Sequence, residues 1–548
     1  MHLNDEAPAA GRDAPDAASA QPRALGRSPR ARVLAAVRRR LTAEYAVVAL
    51  LGLLVLAVHN VGYLLSQPFW TDEAWVAVTT RFPLLQLPAT TNSTPIGWSA
   101  LLRVVTEPAT QTARFLPLAF AGVAVVIAYW FARRLGWRLP EISVAAGLTA
   151  GVGMLLIPAM LHRDDLKQYT ADACASLLVL ALISRLEREW SRRGLAGLSV
   201  AIWGGMLFSH TVAFVGIAAF GAVCVVQLAR RDWHRSIEAV VAGAGTAILM
   251  LGVYEVFDSR AVTPRLTNTG YFSQYYLPVT KGLHAGITFV TSHFYAAGAY
   301  FGLGPVWLAI PLFMAGLATM VRLGRPATAI TVAALWPEML AVSALKKYPF
   351  LEVRTSTFLF AVTVVVAAIG LIGVCSVLRP WLKGALAAGL VAAAVLVFAG
   401  GAQPYIRSRT IPDEDVRDQT RYVADNDADS DVIVVNLSSN WGFAYYWPVG
   451  HPSRRPDPLV AQEYEAYFPR QRRIVVARDR DSGGVDAAVA QALTVARQRS
   501  SPRIWLVRTH MSATEQAAWS AALSQHGLSD TPVGHDGLSV IAVVGSGG

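Results

Sequence analysis

TFLFAVTVVVAAIGLIGVCSVL, Thr357–Leu378, carries neither a charged side chain nor a proline. As a helix rising about 1.5 Å per residue, such a run crosses the ~30 Å hydrocarbon core of a bilayer. Working outward from it, apolar runs recur at Ala43–Leu65, Arg114–Arg133, Ile142–Leu161, Thr170–Leu186, Leu195–Phe208, Val212–Leu228, Ile237–Phe257, Leu303–Met320, Thr328–Leu345 and Gly384–Gly400. The fold class expected is an α-helical polytopic membrane protein with about eleven transmembrane helices. Composition agrees: 54% of residues are hydrophobic, 16% are charged and the mean hydropathy is +0.40. Cys174, Cys224 and Cys375 each fall inside an apolar run, so they read as small buried hydrophobes rather than a disulfide framework.

The net charge of +11 is distributed in a way that speaks for orientation rather than nucleic-acid binding. Arg38–Arg40, Arg133/Arg134/Arg138, Arg185/Arg188/Arg192/Arg193, Arg230/Arg231/Arg235, Arg322/Arg325 and Arg379/Lys383 mark every second junction. By the positive-inside rule these junctions and the N-terminus face the cytoplasm, and an odd number of spans puts the C-terminus outside. Residues 1–40 have the composition of a disordered cytoplasmic tail, 41–402 form the membrane domain and 403–548 follow it. In that last part Asp431–Leu437, Arg472–Ala477, Arg503–Arg508 and Leu538–Val544 read as buried strands, with helices at Val485–Arg499 and Thr514–Gln525 between them. This pattern predicts a small extracytoplasmic α/β domain without a glycine-rich phosphate loop, so no nucleotide-sugar donor is indicated.

The remaining junctions hold the unusual chemistry. Two are read as long outer loops, Ser66–Ala113 and Asp258–Gly302, and the first is expected to carry juxtamembrane helices at Glu73–Thr80 and Ile96–Val105. WTDEAW, Trp70–Trp75, sets the carboxylates Asp72 and Glu73 at the membrane edge, where ionised groups are expensive and functional by default. Asp72 is the candidate general base; the plainer reading makes it a cap for the helix that begins at Glu73.

HRDDLKQYTADA, His162–Ala173, packs both signs of charge between two spans. Arg163 and Lys167 offer charge-assisted donors to a lipid phosphate, whereas Asp164 suits a self-neutralised loop. Asp165 and Asp72 supply the hard oxygens a divalent metal would need, although neighbouring carboxylates diverge on a helix; no cofactor is required by the sequence, and a divalent metal stays an open alternative. Asp172, about a turn inside the next span, calls for a partner.

LKKYPFLEVRTSTF, Leu345–Phe358, places Lys346, Lys347 and Arg354 on the outer side against the positive-inside tendency. Snorkelling accounts for one lysine; an anionic headgroup accounts for Arg354 as well. His210, in FSHT, reads as a hydrogen-bonded turn histidine, with a substrate contact as the alternative.

These segments resemble the C-type glycosyltransferase superfamily, in the branch of bacterial protein O-mannosyltransferases and aminoarabinose transferases. Asp72 and Glu73 fall on that family's acidic motif in the first outer loop, which implies a catalytic role for both. In KQYTAD the family's basic, aromatic and acidic positions are matched by Lys167, Tyr169 and Asp172, and in KKYPFLEVR its late outer loop is matched by Tyr348, Pro349 and Arg354. STPIGW, Ser93–Trp98, is similar to the proline-containing stretch after the acidic motif, so Thr94 and Pro95 would shape an acceptor entrance. The resemblance implies an inverting transfer of a sugar from a polyprenyl-phosphate donor to a glycan, lipid or protein acceptor outside the membrane. The donor phosphate would meet Arg163, Lys167, Tyr169, Lys347 and Arg354; Thr94, Asp172, His210 and Tyr348 would contact substrate. The competing readings are a transporter or flippase for a lipid-linked substrate and a catalytically silent glycan-binding relative.

Overall fold

The computed structural model describes residues 29–80, 94–105, 111–162, 165–258, 271–303, 306–378, 384–407, 415–447, 453–456, 464–467, 473–499, 503–536 and 539–546. The chain forms two compact units, Met1–Ala49 and Leu50–Gly548. The described part of the first is helical and belongs to α1 (Pro29–Val58).

In the second unit α2 (Val61–Ser66), α3 (Thr71–Thr79) and α4 (Ile96–Val105) are short, and the last two coincide with the juxtamembrane helices read from sequence. There follow α5 (Phe115–Arg133), α6 (Pro140–Leu155), α7 (Pro158–His162), α8 (Tyr169–Arg188), α9 (Arg192–Met206), α10 (Val212–Ala229) and α11 (Trp233–Val253). After them come α12 (Gly282–Phe301), α13 (Val306–Arg322), α14 (Pro326–Ala344), α15 (Thr357–Leu378) and α16 (Gly384–Arg407). α6 and α14 start on proline, whose missing N–H and fixed φ suit a first helical turn.

Among the described residues, seven helices are long and apolar enough to cross a membrane: Thr112–Arg133, Pro140–Leu161, Tyr169–Arg188, Val212–Ala229, Trp233–Phe257, Pro326–Ala344 and Thr357–Leu378. The protein is a multi-pass membrane protein. Burial sorts the spans: 89% of the apolar window of Thr357–Leu378 is enclosed by protein against 17% for Trp233–Phe257, so α15 is the hub and α11 lies at the periphery. Glycine is what lets α15 seat so deeply. A Cβ at Gly370 would collide with the Leu312 carbonyl, and one at Gly316 with the Val366 carbonyl, so α13 and α15 meet backbone to backbone. Without a hydrophobic drive between helices in lipid, such close approach of small residues supplies the attraction.

The stretch Asp258–Gly302 is not a loop throughout, which corrects the sequence reading. Residues 259–270 lie outside the described residues, but Tyr271–Tyr275 and Val279–Lys281 are 3-10 turns and Gly282–Phe301 is the helix α12. His284, His293 and its tyrosines depress the hydropathy of α12 without breaking its helical pattern. His293 lies against the ring of Phe289, centroids 4.1 Å apart, and its Nδ1 meets the Phe289 carbonyl at 2.8 Å, so its polarity is met locally.

From Val416 onward the chain is α/β: α17 (Val416–Asn426), β1 (Val432–Val435), α18 (Asn440–Tyr446), β2 (Ser453–Pro456), β3 (Tyr464–Tyr467), β4 (Ile474–Val476), α19 (Ser482–Arg499), β5 (Ile504–Arg508), α20 (Ala513–Gln525), β6 (Leu528–Asp536) and β7 (Ser539–Ser546). The main sheet has the order β4-β1-β5-β7-β6; β4, β1 and β5 run parallel, while β7 runs antiparallel to both its neighbours. Alternation in β1 explains why its run is uniformly apolar. Val432 and Val434 pack under α19 and α20, with Val485 and Trp519. Ile433 and Val435 pack on the other face with Val416, Phe443 and Trp447.

Candidate active site

The site begins with the consecutive pair Asp72–Glu73. Both lie in the first turn of α3, whose N-cap is Trp70, so Asp72 is inside the helix rather than capping it. Successive side chains on a helix diverge by about 100°, and these two part accordingly. Glu73 turns inward and is 1% exposed, paired with Arg114, which is 0% exposed. Arg114 spends all five N–H donors on the two Glu73 oxygens and the carbonyls of Leu64, Gln67 and Pro68. Glu73 Oε1 also accepts the Leu166 N–H at 3.3 Å. One buried pair thus joins the end of α2, the start of α3 and the loop before α8.

That loop presents Lys167. Trp98 on α4 donates its indole N–H to the Leu166 carbonyl at 2.8 Å, and Asp165 Oδ1 accepts the Lys167 N–H at 3.1 Å. Held on both sides, the Lys167 ammonium lies 3.5 Å from Asp72 Oδ2 and 5.2 Å from the centre of the Trp75 ring. Arg354, from the loop between α14 and α15, donates to the same Asp72 oxygen at 2.6 Å and sits 5.8 Å from the Trp70 ring. Its Nε is 3.6 Å from Glu352, which is fully buried and accepts the Thr355 N–H at 2.9 Å. The Arg354 loop is moored in turn: Phe350 N–H donates to the Tyr275 carbonyl, and Ser343 Oγ bridges Tyr275 and Leu277.

Residues distant in sequence therefore converge: Asp72, Lys167 and Arg354 share one oxygen. Asp72 is 19% exposed, Arg354 22% and Lys167 8%, so the cluster is partly enclosed. A second polar group lies behind it. Asp172 is buried within hydrogen-bond reach of Ser209 and Thr211, with His210 close by. Tyr169 is buried within electrostatic reach of Asp165, Arg354, Glu352 and Asp72. Tyr348 donates its hydroxyl to the Thr355 carbonyl at 3.0 Å; burial, with Asp172 and Glu352 nearby, holds its acidity far below that of an ordinary tyrosine, so the hydroxyl keeps its proton. Thr94 is buried against Ser99, 2.8 Å between hydroxyls, at the start of α4. Lys347 is exposed. Arg163 and Asp164 lie outside the described residues.

Among the described residues no three His, Cys, Asp or Glu side chains gather as a metal would require. Asp72 Oδ2 already meets two cations and Asp165 Oδ1 a backbone amide, so this donor set does not fit a divalent ion.

Sequence reasoning missed the aromatic support. Trp441 of α18 stacks on Trp75, 6.3 Å between centroids at 24°, and Phe69 lies against Tyr445 at 5.3 Å while its N–H donates to the Tyr446 hydroxyl. NWGFAYYW, Asn440–Trp447, was the available signal: an aromatic cluster in an otherwise polar tail. It fixes the α/β segment onto α3, on the same side of the membrane as Asp72.

The helical part, its junction helices and the appended α/β segment together make an architecture that solved membrane-protein structures share. Solved structures with this architecture include ArnT from Cupriavidus metallidurans, an aminoarabinose transferase. In its apo state it superposes with a TM-score of 0.52 at 14% identity over 91% of this chain and 98% of its own. Bound to undecaprenyl phosphate it gives 0.50 at 15% identity, over 92% and 97%. At such identity the likeness concerns the fold. No protein-family model matches the sequence, and no curated protein does.

Proposed function

We propose that the protein is an inverting glycosyltransferase that moves a sugar from a polyprenyl-phosphate donor to an acceptor hydroxyl outside the cytoplasm. The observation that carries this reading is the single Asp72 oxygen gripped by Lys167 and Arg354. Two cations converging from separate loops are the receptor for a phosphate, and Asp72 is the carboxylate that holds them when no phosphate is there. A donor phosphate that draws Lys167 and Arg354 to itself releases Asp72, so the base becomes available only when the donor is in place. Asp72 then takes the proton of the acceptor hydroxyl as its oxygen bonds to the anomeric carbon. The bond from that carbon to the phosphate oxygen breaks on the opposite face, and the departing lipid phosphate keeps the electron pair, neutralised by the two cations.

Arg163 and Lys347 would extend the cationic rim, and Tyr169 would line the phosphate pocket. Asp172, His210 and Tyr348 form the polar floor for sugar hydroxyls, while Glu73 keeps Lys167 in place through Leu166. Thr94 and Pro95 shape the acceptor entrance by starting α4. The topology that goes with this has eleven spans, a cytoplasmic N-terminus, a membrane domain over 41–402 and an extracytoplasmic α/β domain over 403–548. It is supported by the arginine-rich alternate junctions and by the packing of Trp441 on Trp75, which keeps the tail and the site in one compartment.

Purified protein incubated with synthetic polyprenyl-phosphate sugars tests the reading. Sugar transfer with free polyprenyl phosphate as co-product is expected; movement of intact lipid-linked sugar between leaflets without cleavage would make it a flippase, and donor binding with neither would make it a silent relative.

A further inference from the structure

At the far end of α8 from Lys167 lies a groove of about 510 Å³ between α5 and α8. α8 has 20 residues, so its two ends are about 30 Å apart, the thickness of the hydrocarbon core. The groove therefore opens at the opposite bilayer boundary from the Asp72 site. Its aqueous half is lined by Arg134, Arg185 and Arg188, all exposed, and its inner half by Trp130, Leu178 and Leu182. The Arg134 guanidinium lies 3.8 Å from the centre of the Trp130 ring, which sets its charge at the mouth. Glu189 lies beside the mouth, its Oε1 3.3 Å from Arg188 Nε; both are solvated, so this pair is weak.

We propose that this groove binds an anionic phospholipid of the leaflet opposite the Asp72 site. Three guanidiniums present bidentate donors to a phosphodiester, and the apolar wall directly below them runs into the membrane, where acyl chains lie against Leu178 and Leu182. A soluble phosphate would use the arginines and gain nothing from that wall; a zwitterionic headgroup would bring a cation into a ring of cations. The proposal needs only that α5 and α8 span the membrane and is independent of the chemistry assigned to Asp72.

The test is native mass spectrometry of the full-length protein with phosphatidylglycerol or phosphatidylcholine added, beside thermal unfolding with the same lipids or with inorganic phosphate. Phosphatidylglycerol is expected to be retained about tenfold more strongly than phosphatidylcholine and to raise the unfolding temperature, with the preference lost in R134Q/R185Q/R188Q and kept in R134K/R185K/R188K. Should the glutamine variant fail to fold, phosphatidylglycerol with brominated chains reads the same site in otherwise native protein: it should quench wild type more than W130F. Equal retention of the two lipids, undiminished retention by the folded glutamine variant, equal quenching of wild type and W130F, or an equal thermal shift from inorganic phosphate alone would each overturn the proposal.

Discussion

Glu73→Gln isolates what holds the site together. The substitution keeps shape and removes one charge from a pair whose side chains are 1% and 0% exposed, taking from the buried Arg114 guanidinium the carboxylate that faces it. Breaking a pair this deeply buried costs about 3–5 kcal/mol, because the remaining charge keeps its desolvation penalty. Asp72 is 19% exposed and Arg354 22%, so Asp72→Asn should lose much less. Thermal unfolding in detergent, followed by tryptophan fluorescence, would compare Glu73→Gln, Arg114→Met, the double variant and Asp72→Asn. The two single variants of the buried pair should unfold well below wild type, and the double variant should recover part of the loss, since removing both charges removes both penalties. Glu73→Gln unfolding together with wild type, or no more readily than Asp72→Asn, would refute the assignment of Glu73 to structural support.

Four further outcomes follow from the geometry. Asp72→Asn should lower turnover on the order of a hundredfold to ten-thousandfold in a direct assay with synthetic donor, while donor binds at least as tightly because Lys167 and Arg354 no longer have a carboxylate to leave. Lys167→Met and Arg354→Met should each weaken donor binding by about tenfold or more and also slow the chemical step, resolved by equilibrium binding and single-turnover rates. Trp441→Ala removes the stack on Trp75, against which Lys167 lies; turnover should fall several-fold, and limited proteolysis should cut sooner between α16 and α17. Gly370→Leu forces a side chain into the Leu312 carbonyl, so the protein should fail to accumulate in membranes, whereas the same change at Gly389, where nothing lies within 4 Å, should be tolerated.

The membrane class, the spans around Thr357–Leu378 and the strands β1, β4, β5 and β7 of the tail were legible in the sequence, because each depends on local periodicity and on the length of an apolar run; β2, β3 and β6, which are polar, were not. α12 escaped for the same reason: histidines and tyrosines lower its hydropathy, and although Phe289 meets His293 from within the helix, the ring of Tyr275 reaches it from another segment. Motif position identified Asp72, Lys167 and Arg354 as chemically unusual, since charges beside hydrocarbon are costly wherever the chain leads. That they meet at one oxygen was decided by tertiary structure, through loops moored at Glu73, Trp98 and Tyr275. The adjacent pair Asp72–Glu73 is the clearest case. As sequence the two carboxylates are equivalent; the turn of α3 sends one to the partly enclosed cluster and the other to Arg114, because helical geometry gives neighbours different faces and only packing determines what each face meets.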